Sequence, residues 1–305
     1  MIPPFERGCQ GRDGALRFQP DQQSSRGASV LLFVAVTICL LAAAPNIAAQ
    51  LQIISRDTPQ TLFPGEACPV AVIFHNAEDH RVIVKLSTQL YQASSATAAP
   101  LGRPRAWKAL EILAGQTILE TNPLAFPSVA HATRFIIQWL DATNRVLGIS
   151  EVMVYPTNLL DALRPLANKK PLGVFDPQNQ IKPLLTSSGL VFQDLEEQGI
   201  DNFSGRLAII GPTSADAPRP EELAEEITDL ARAGAAVVWI KAEAACGPVL
   251  EPALYNLRVG QGAISIVRSR ALLNLTTSPL AQLNFVRAAQ LAIKPDLLSL
   301  NNPQP

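Results

Sequence analysis

The chain has 305 residues, a length that suits about two domains. Its 25 Lys and Arg stand against 26 Asp and Glu, a formal net charge of −1 that excludes a nucleic-acid partner held by bulk electrostatics. Hydrophobic residues make up 48 % of the chain, enough for real cores, and the 25 prolines cluster between segments, where turns and linkers need them.

Residues 1–49 read as a leader. Met1 to Gly27 is polar, with Arg7, Arg12, Arg17 and Arg26 against Glu6, Asp13 and Asp21. Ala28 to Ala44 (ASVLLFVAVTICLLAAA) then runs without a charge. Ile47 and Ala49 form an acceptable small-residue cleavage site, so a signal peptide is expected. The alternative is an uncleaved membrane anchor through residues 28–44, although the run is just short of a relaxed span. The basic excess before the run places the N-terminus in the cytoplasm under either reading. The chain from about residue 50 onward is then exported, either periplasmic or anchored to an inner membrane. Cys39 sits inside the apolar run behind Ile38, where a lipoprotein site needs a small residue.

Residues 50–157 change period. Val70, Val72 and Phe74 alternate with smaller or polar positions, as do Val82, Val84, Leu86 and Thr88, and Phe135, Ile137 and Trp139. Period two with one buried face is the signature of a sheet. Turn signals at Pro64-Gly65, Asn76 to Asp79, Ala114-Gly115 and Asp141 to Asn144 separate seven predicted strands: 51–55, 68–75, 82–92, 107–113, 117–124, 133–140 and 146–155. Seven short strands at this spacing predict a β-sandwich. Ala93 to Arg105 (ASSATAAPLGRPR) is expected to be a long mobile loop. Trp107 and Trp139 are expected in the core. His75 and His80 flank Glu78 and Asp79, but this is not a zinc spacing, and a solvated turn is the expectation.

Residues 158–171 read as a linker with a short helix near Leu159 to Ala167. Residues 172–295 predict an α/β domain, and 296–305 a tail. Leu172 to Asp176 is the first strand, Ile181 to Ser188 a short helix, and Gly189 to Gln193 the second strand. Leu207-Ala208-Ile209-Ile210 and Ala235 to Ile240 are continuous apolar runs, which suit parallel strands covered on both faces. Between them lies a helix with acidic first turns at Glu221, Glu222, Glu225 and Glu226, an apolar stripe of Leu223, Ile227 and Leu230, and Gly234 to end it. This is a βαβ unit with a right-handed crossover. Asn256 to Gly260 and Ala263 to Val267 complete the strands. Ser278 caps a final helix, Pro279 to Ile293. The predicted fold is therefore multi-domain: an N-terminal β-sandwich followed by a three-layer α/β domain with a mostly parallel sheet.

Open α/β sheets bind ligands at the carboxyl ends of their strands. The candidates there are Asp176 and Asn179 after the first strand and Asp194 after the second. Thr213, Ser214 and Asp216 follow the third, and Lys241 and Glu243 the fourth. The competing reading makes the same residues caps and turns. Cys68 and Cys246, one per expected domain, read as separate buried thiols, with a disulfide as the alternative in an oxidising compartment.

Two resemblances rest on these stretches. Gly115-Gln116-Thr117 through Trp139 to Val154-Tyr155-Pro156 resembles immunoglobulin-like or fibronectin-like modules of bacterial surface proteins. The segments Ala-Gly-Ala-Ala-Val-Val-Trp-Ile, after the acidic helix, and Gly-Gln-Gly-Ala-Ile-Ser-Ile-Val resemble class I glutamine-amidotransferase-like, flavodoxin-like domains, in particular the non-catalytic forms attached to bacterial glycosidases and membrane proteins. That family's nucleophilic Cys sits in a glycine-flanked elbow with a downstream His and Glu. Cys246 is instead followed by Gly247-Pro248, and no His occurs after His131. A Cys nucleophile needs a base, so amidotransferase chemistry is not expected, and neither a cofactor nor a metal is predicted. The resemblance implies a non-catalytic accessory or interaction protein of the bacterial envelope, with a protein partner and a link to polysaccharide handling through a glycan. The alternatives are a glycan-directed hydrolase using Asp176 and Asp194, and a small-ligand sensor.

Overall fold

The computed structural model describes residues 51–213, 220–242 and 254–295. Ala49–Pro305 forms one compact unit. The leader, including the apolar run 28–44, lies outside the described residues, as do Ser214, Asp216, Glu243 and Cys246. No described helix is long and apolar enough to cross a membrane. Among the described residues the architecture is mostly sheet with some helices, and one of three sheets is largely parallel.

Eight strands build the first part. They are β1 Leu51–Ile54, β2 Gln60–Leu62, β3 Gly65–Asn76, β4 Val82–Ala93, β5 Ala98–Ile112, β6 Thr117–Phe126, β7 Thr133–Leu140 and β8 Val146–Val154. They form a three-stranded sheet, β1-β3-β6, and a five-stranded sheet, β2-β8-β7-β4-β5. The alternation seen in the sequence puts Val70, Val72 and Phe74 of β3 and Phe135, Ile137 and Trp139 of β7 into one shared core. Trp139 is fully buried, edge-on to Phe74, and its Nε1 donates to Ser150 Oγ at 2.9 Å. Trp107 packs against both rings. Cys68 is a buried free thiol. Burial pushes its pKa up.

Two sequence expectations fail here. Short β2 runs parallel to β8 and was not expected. The segment expected as a mobile loop is mostly strand: β5 starts at Ala98 and pairs with β4 from Ala93↔Ala98 to Val82↔Ile112. As an edge strand with an almost entirely exposed first half, β5 needs no apolar alternation there. It also tolerates Pro100 and Pro104, which a central strand would not.

The second part begins with a 3-10 turn, Leu159–Ala162, and α1, Leu163–Leu166. A six-stranded sheet comes next, in the order β10-β9-β11-β12-β14-β13. Its members are β9 Leu172–Phe175, β10 Phe192–Asp194, β11 Leu207–Ile210, β12 Ala236–Lys241, β13 Leu254–Val259 and β14 Gly262–Arg268. All neighbours are parallel except β13, which returns antiparallel against β14. The helices are α2 Lys182–Ser187, α3 Leu195–Gln198, α4 Pro220–Arg232 and α5 Pro279–Ile293.

Both faces of this sheet are covered, as the unbroken apolar runs require. Leu207 and Ile209 pack with Val238, Ile240, Leu185 of α2 and Phe285 of α5 on one face, in a core that also takes Leu160, Leu163 and Ala167. Ala208 and Ile210 pack with Val237, Ile227 of α4 and Phe203 on the other. Ser278 Oγ accepts from Ala281 N and caps α5, and Gly234 adopts φ +106° just past α4.

Candidate functional site

The carboxyl ends of β9 and β10 carry a network of four charged side chains. Asp176 follows β9 and is only 1 % exposed. Its Oδ2 accepts from Ile181 N at 2.6 Å and Lys182 N at 3.0 Å, so it holds the turn that enters α2. Its own amide donates to Glu196 Oε1. Asp194, the last residue of β10, caps α3 by accepting from Glu196 N at 3.0 Å. Its other oxygen takes a 2.6 Å ion pair from Lys182 Nζ, which also reaches Glu196 Oε1 at 3.0 Å.

The electrostatics come from this geometry. The hydrogen bond from Lys182 is the main cause that holds the Asp194 carboxyl below its ordinary value, against burial, with help from the Glu196 amide. Burial works against the Lys182 ammonium, but Asp194 and Glu196 together outweigh it and raise its pKa. A general acid needs a carboxyl shifted upwards, towards the working pH. Asp194 is shifted the other way.

Asp176 Oδ1 is buried without a hydrogen-bond partner among the described residues. It faces Gly211, just past β11. A Cβ there would come within 2.7 Å of this oxygen and 3.2 Å of the Asp176 Cα. Gly211 therefore permits β9 and β11 to leave the sheet side by side, tied by a 2.6 Å bond from Gly211 N to Phe175 O.

The structure brings Asp176 and Asp194 together around Lys182; Ser214 lies outside the described residues. Asn179 is an exposed turn residue at φ +51° whose amide donates to Asp176 O. Thr213 is half-buried beyond β11. Lys241 ends β12, and its Nζ lies 4.1 Å from the ring centre of Trp239. Trp239 packs on the α4 face of the sheet, whereas Asp176 caps the turn into α2 on the opposite face. Lys182 and Glu196 escape a reading of the sequence. Glu196 carries a weak signal, two residues after a capping Asp; Lys182 carries none, because only the fold brings it back to β10.

The turn after β3 is structural in the same way. Asn76 is fully buried; its Nδ2 reaches the carbonyls of His80, Ile112 and Leu113, and its Oδ1 accepts from Glu78 N. His80 pairs with Asp79 at 2.9 Å, and His75 Nδ1 lies 2.9 Å from Thr117 Oγ1. Among the described residues no group of three or more His, Cys, Asp or Glu is placed to hold a metal ion.

No family model matches the chain, and no curated protein matches it. Solved structures give weak likenesses. A beta-glucosidase from Listeria innocua in complex with gluconolactone is 17 % identical over 35 % of this chain and 16 % of its own, with a TM-score of 0.26. A beta-glucosidase from Bifidobacterium adolescentis is 12 % identical over 35 % and 17 %, with a TM-score of 0.24. An alkylpurine DNA glycosylase from Pseudomonas fluorescens, bound to DNA containing an abasic site analog, is 17 % identical over 38 % and 33 %, with a TM-score of 0.25. The chain thus spans a sixth to a third of these proteins, and similarity at this level carries no argument.

Proposed function

We propose that this chain is a non-catalytic accessory or interaction protein of the bacterial envelope, exported or tethered by residues 28–44. In this reading residues 50–157 are an immunoglobulin-like β-sandwich, and residues 172–295 a non-catalytic amidotransferase-like domain. The observation that carries it is the state of the two strand-end carboxylates. Asp194 is tied to Lys182 and to the first turn of α3, and one oxygen of Asp176 is tied to the first turn of α2. Both act as caps that hold loops in place, which supports a structural role over the acid–base pair a glycan hydrolase would need. The absence of any His after His131 points the same way for amidotransferase chemistry.

The reading is tested by isolating the tagged full chain from gently solubilised envelopes and weighing the complex. A stoichiometric partner that survives washing at high salt is the expected result. A lone monomer under the same conditions would remove the accessory role. The second reading, a small-ligand sensor at the strand ends, is favoured by one observation, the buried and unpartnered Asp176 Oδ1. It requires a ligand whose thermal stabilisation of the protein vanishes in Asp176→Asn.

A further inference from the structure

The groove of about 530 Å³ in the first part of the molecule is independent of the strand-end network. It lies between the two sheets, with β3 and β6 on one side and β4, β5 and β7 on the other. Since β5 and β6 are each the last strand of their sheet, the groove meets the seam between two free edges. Lys108 of β5 pairs with Glu120 of β6 further along that seam.

The wall is apolar: Leu90, Leu101, Leu124, Phe126 and Ile137 line it. One polar group sits inside. Thr88 lies on the inward row of β4 between Leu86 and Leu90 and is 5 % exposed. It lines the groove.

The rim is shaped by an irregularity in β5. Thr88 pairs with Arg105 and Leu90 with Leu101, so Gln89 alone spans Gly102, Arg103 and Pro104. The extra residues form a bulge, with Gly102 at φ +74°. Bulges at sheet edges redirect side chains and recur beside binding sites. This one places Arg103 and Arg105 on the rim, both exposed and neither in an ion pair among the described residues. Glu66 is the acid on the rim, so the local balance is cationic.

We propose that this groove binds a single-chain amphipathic carboxylate, with its hydrocarbon between the sheets and its carboxylate at Arg103 and Arg105. The volume is in the range of small-molecule sites, and the pattern of an apolar wall with a few polar groups is theirs also. Two guanidinium groups that are in no ion pair among the described residues supply the donors that a carboxylate accepts best.

The test is calorimetric titration of the purified full chain with decanoate, decanol and decyltrimethylammonium. Decanoate is expected to bind saturably at one site, with decanol weaker and the cation absent. In Arg103→Ala/Arg105→Ala, affinity for decanoate is expected to fall about tenfold or more, while the melting temperature stays put, because both side chains are exposed. Thr88→Val keeps the side chain's shape and is expected to weaken binding less. Equal binding of all three amphiphiles, no binding of decanoate, or decanoate affinity unchanged in the double-arginine variant would each overturn the proposal. None of these outcomes bears on the strand-end carboxylates, so the two readings stand or fall separately.

Discussion

At the scale of residues, the charged network is a stability device with a defined pH window. The folded-state pKa of Asp194 lies below its unfolded value, so its contribution is complete above about pH 3.9 and is lost as pH falls through the lower folded value. Lys182 has a raised pKa, so its contribution is complete below about pH 10.4 and is lost as pH rises through the folded value. The difference in melting temperature between the wild type and Asp194→Asn is therefore expected to be flat around neutral pH and to shrink in strong acid. A difference that persisted unchanged to about pH 2 would contradict the assignment. Asn76 makes a separate prediction. Asn76→Leu removes the side-chain bonds to the carbonyls of His80, Ile112 and Leu113 and the one from the Glu78 amide, although Leu113 O keeps its bond from Gln116 N. A loss of about 2–3 kcal/mol in denaturant unfolding is expected, near the upper end for unsatisfied buried groups.

At the scale of elements, apolar periodicity was legible wherever a face is buried on one side, and unbroken apolar runs were legible where both faces are covered. Helix α4 is the clearest case: its acidic start, its stripe and its glycine stop give Pro220–Arg232. Its Ile227 is fully buried. Ile227→Asp is expected to cost more than about 4 kcal/mol and abolish the cooperative melt of this part, as is Val238→Asp on the opposite face; circular dichroism would show it, and a melt within a few degrees of the wild type would refute the packing. Strand β5 marks the limit of that legibility. Its first half, Ala98 to Arg105, is exposed except at Leu101 and holds two prolines and a glycine, so its composition alone reads as loop. Backbone pairing to β4 makes it a strand, and pairing leaves no trace in a single sequence. The candidate site was partly legible for the same reason. Asp176 and Asp194 announce themselves by following apolar runs, whereas Lys182 is defined by a contact twelve residues away.

At the scale of the whole molecule, two structural regimes share one compact unit. Two sheets with a common core enclose a groove with a cationic rim. A largely parallel sheet keeps its strand-end carboxylates tied to the turns around it. The central claim is that these carboxylates hold structure and perform no chemistry. It is tested most directly by measuring melting temperature and turnover together for wild type, Asp176→Asn and Asp194→Asn, against a panel of chromogenic glycosides and esters. The account expects no turnover from any of the three proteins, and a lower melting temperature in both variants: Asn keeps a capping oxygen, but Asp194→Asn loses the charge paired with Lys182 and Asp176→Asn puts an amide group into the tight space beside Gly211. A wild-type glycosidase or esterase activity that disappears in Asp176→Asn while the melting temperature is unchanged would contradict it.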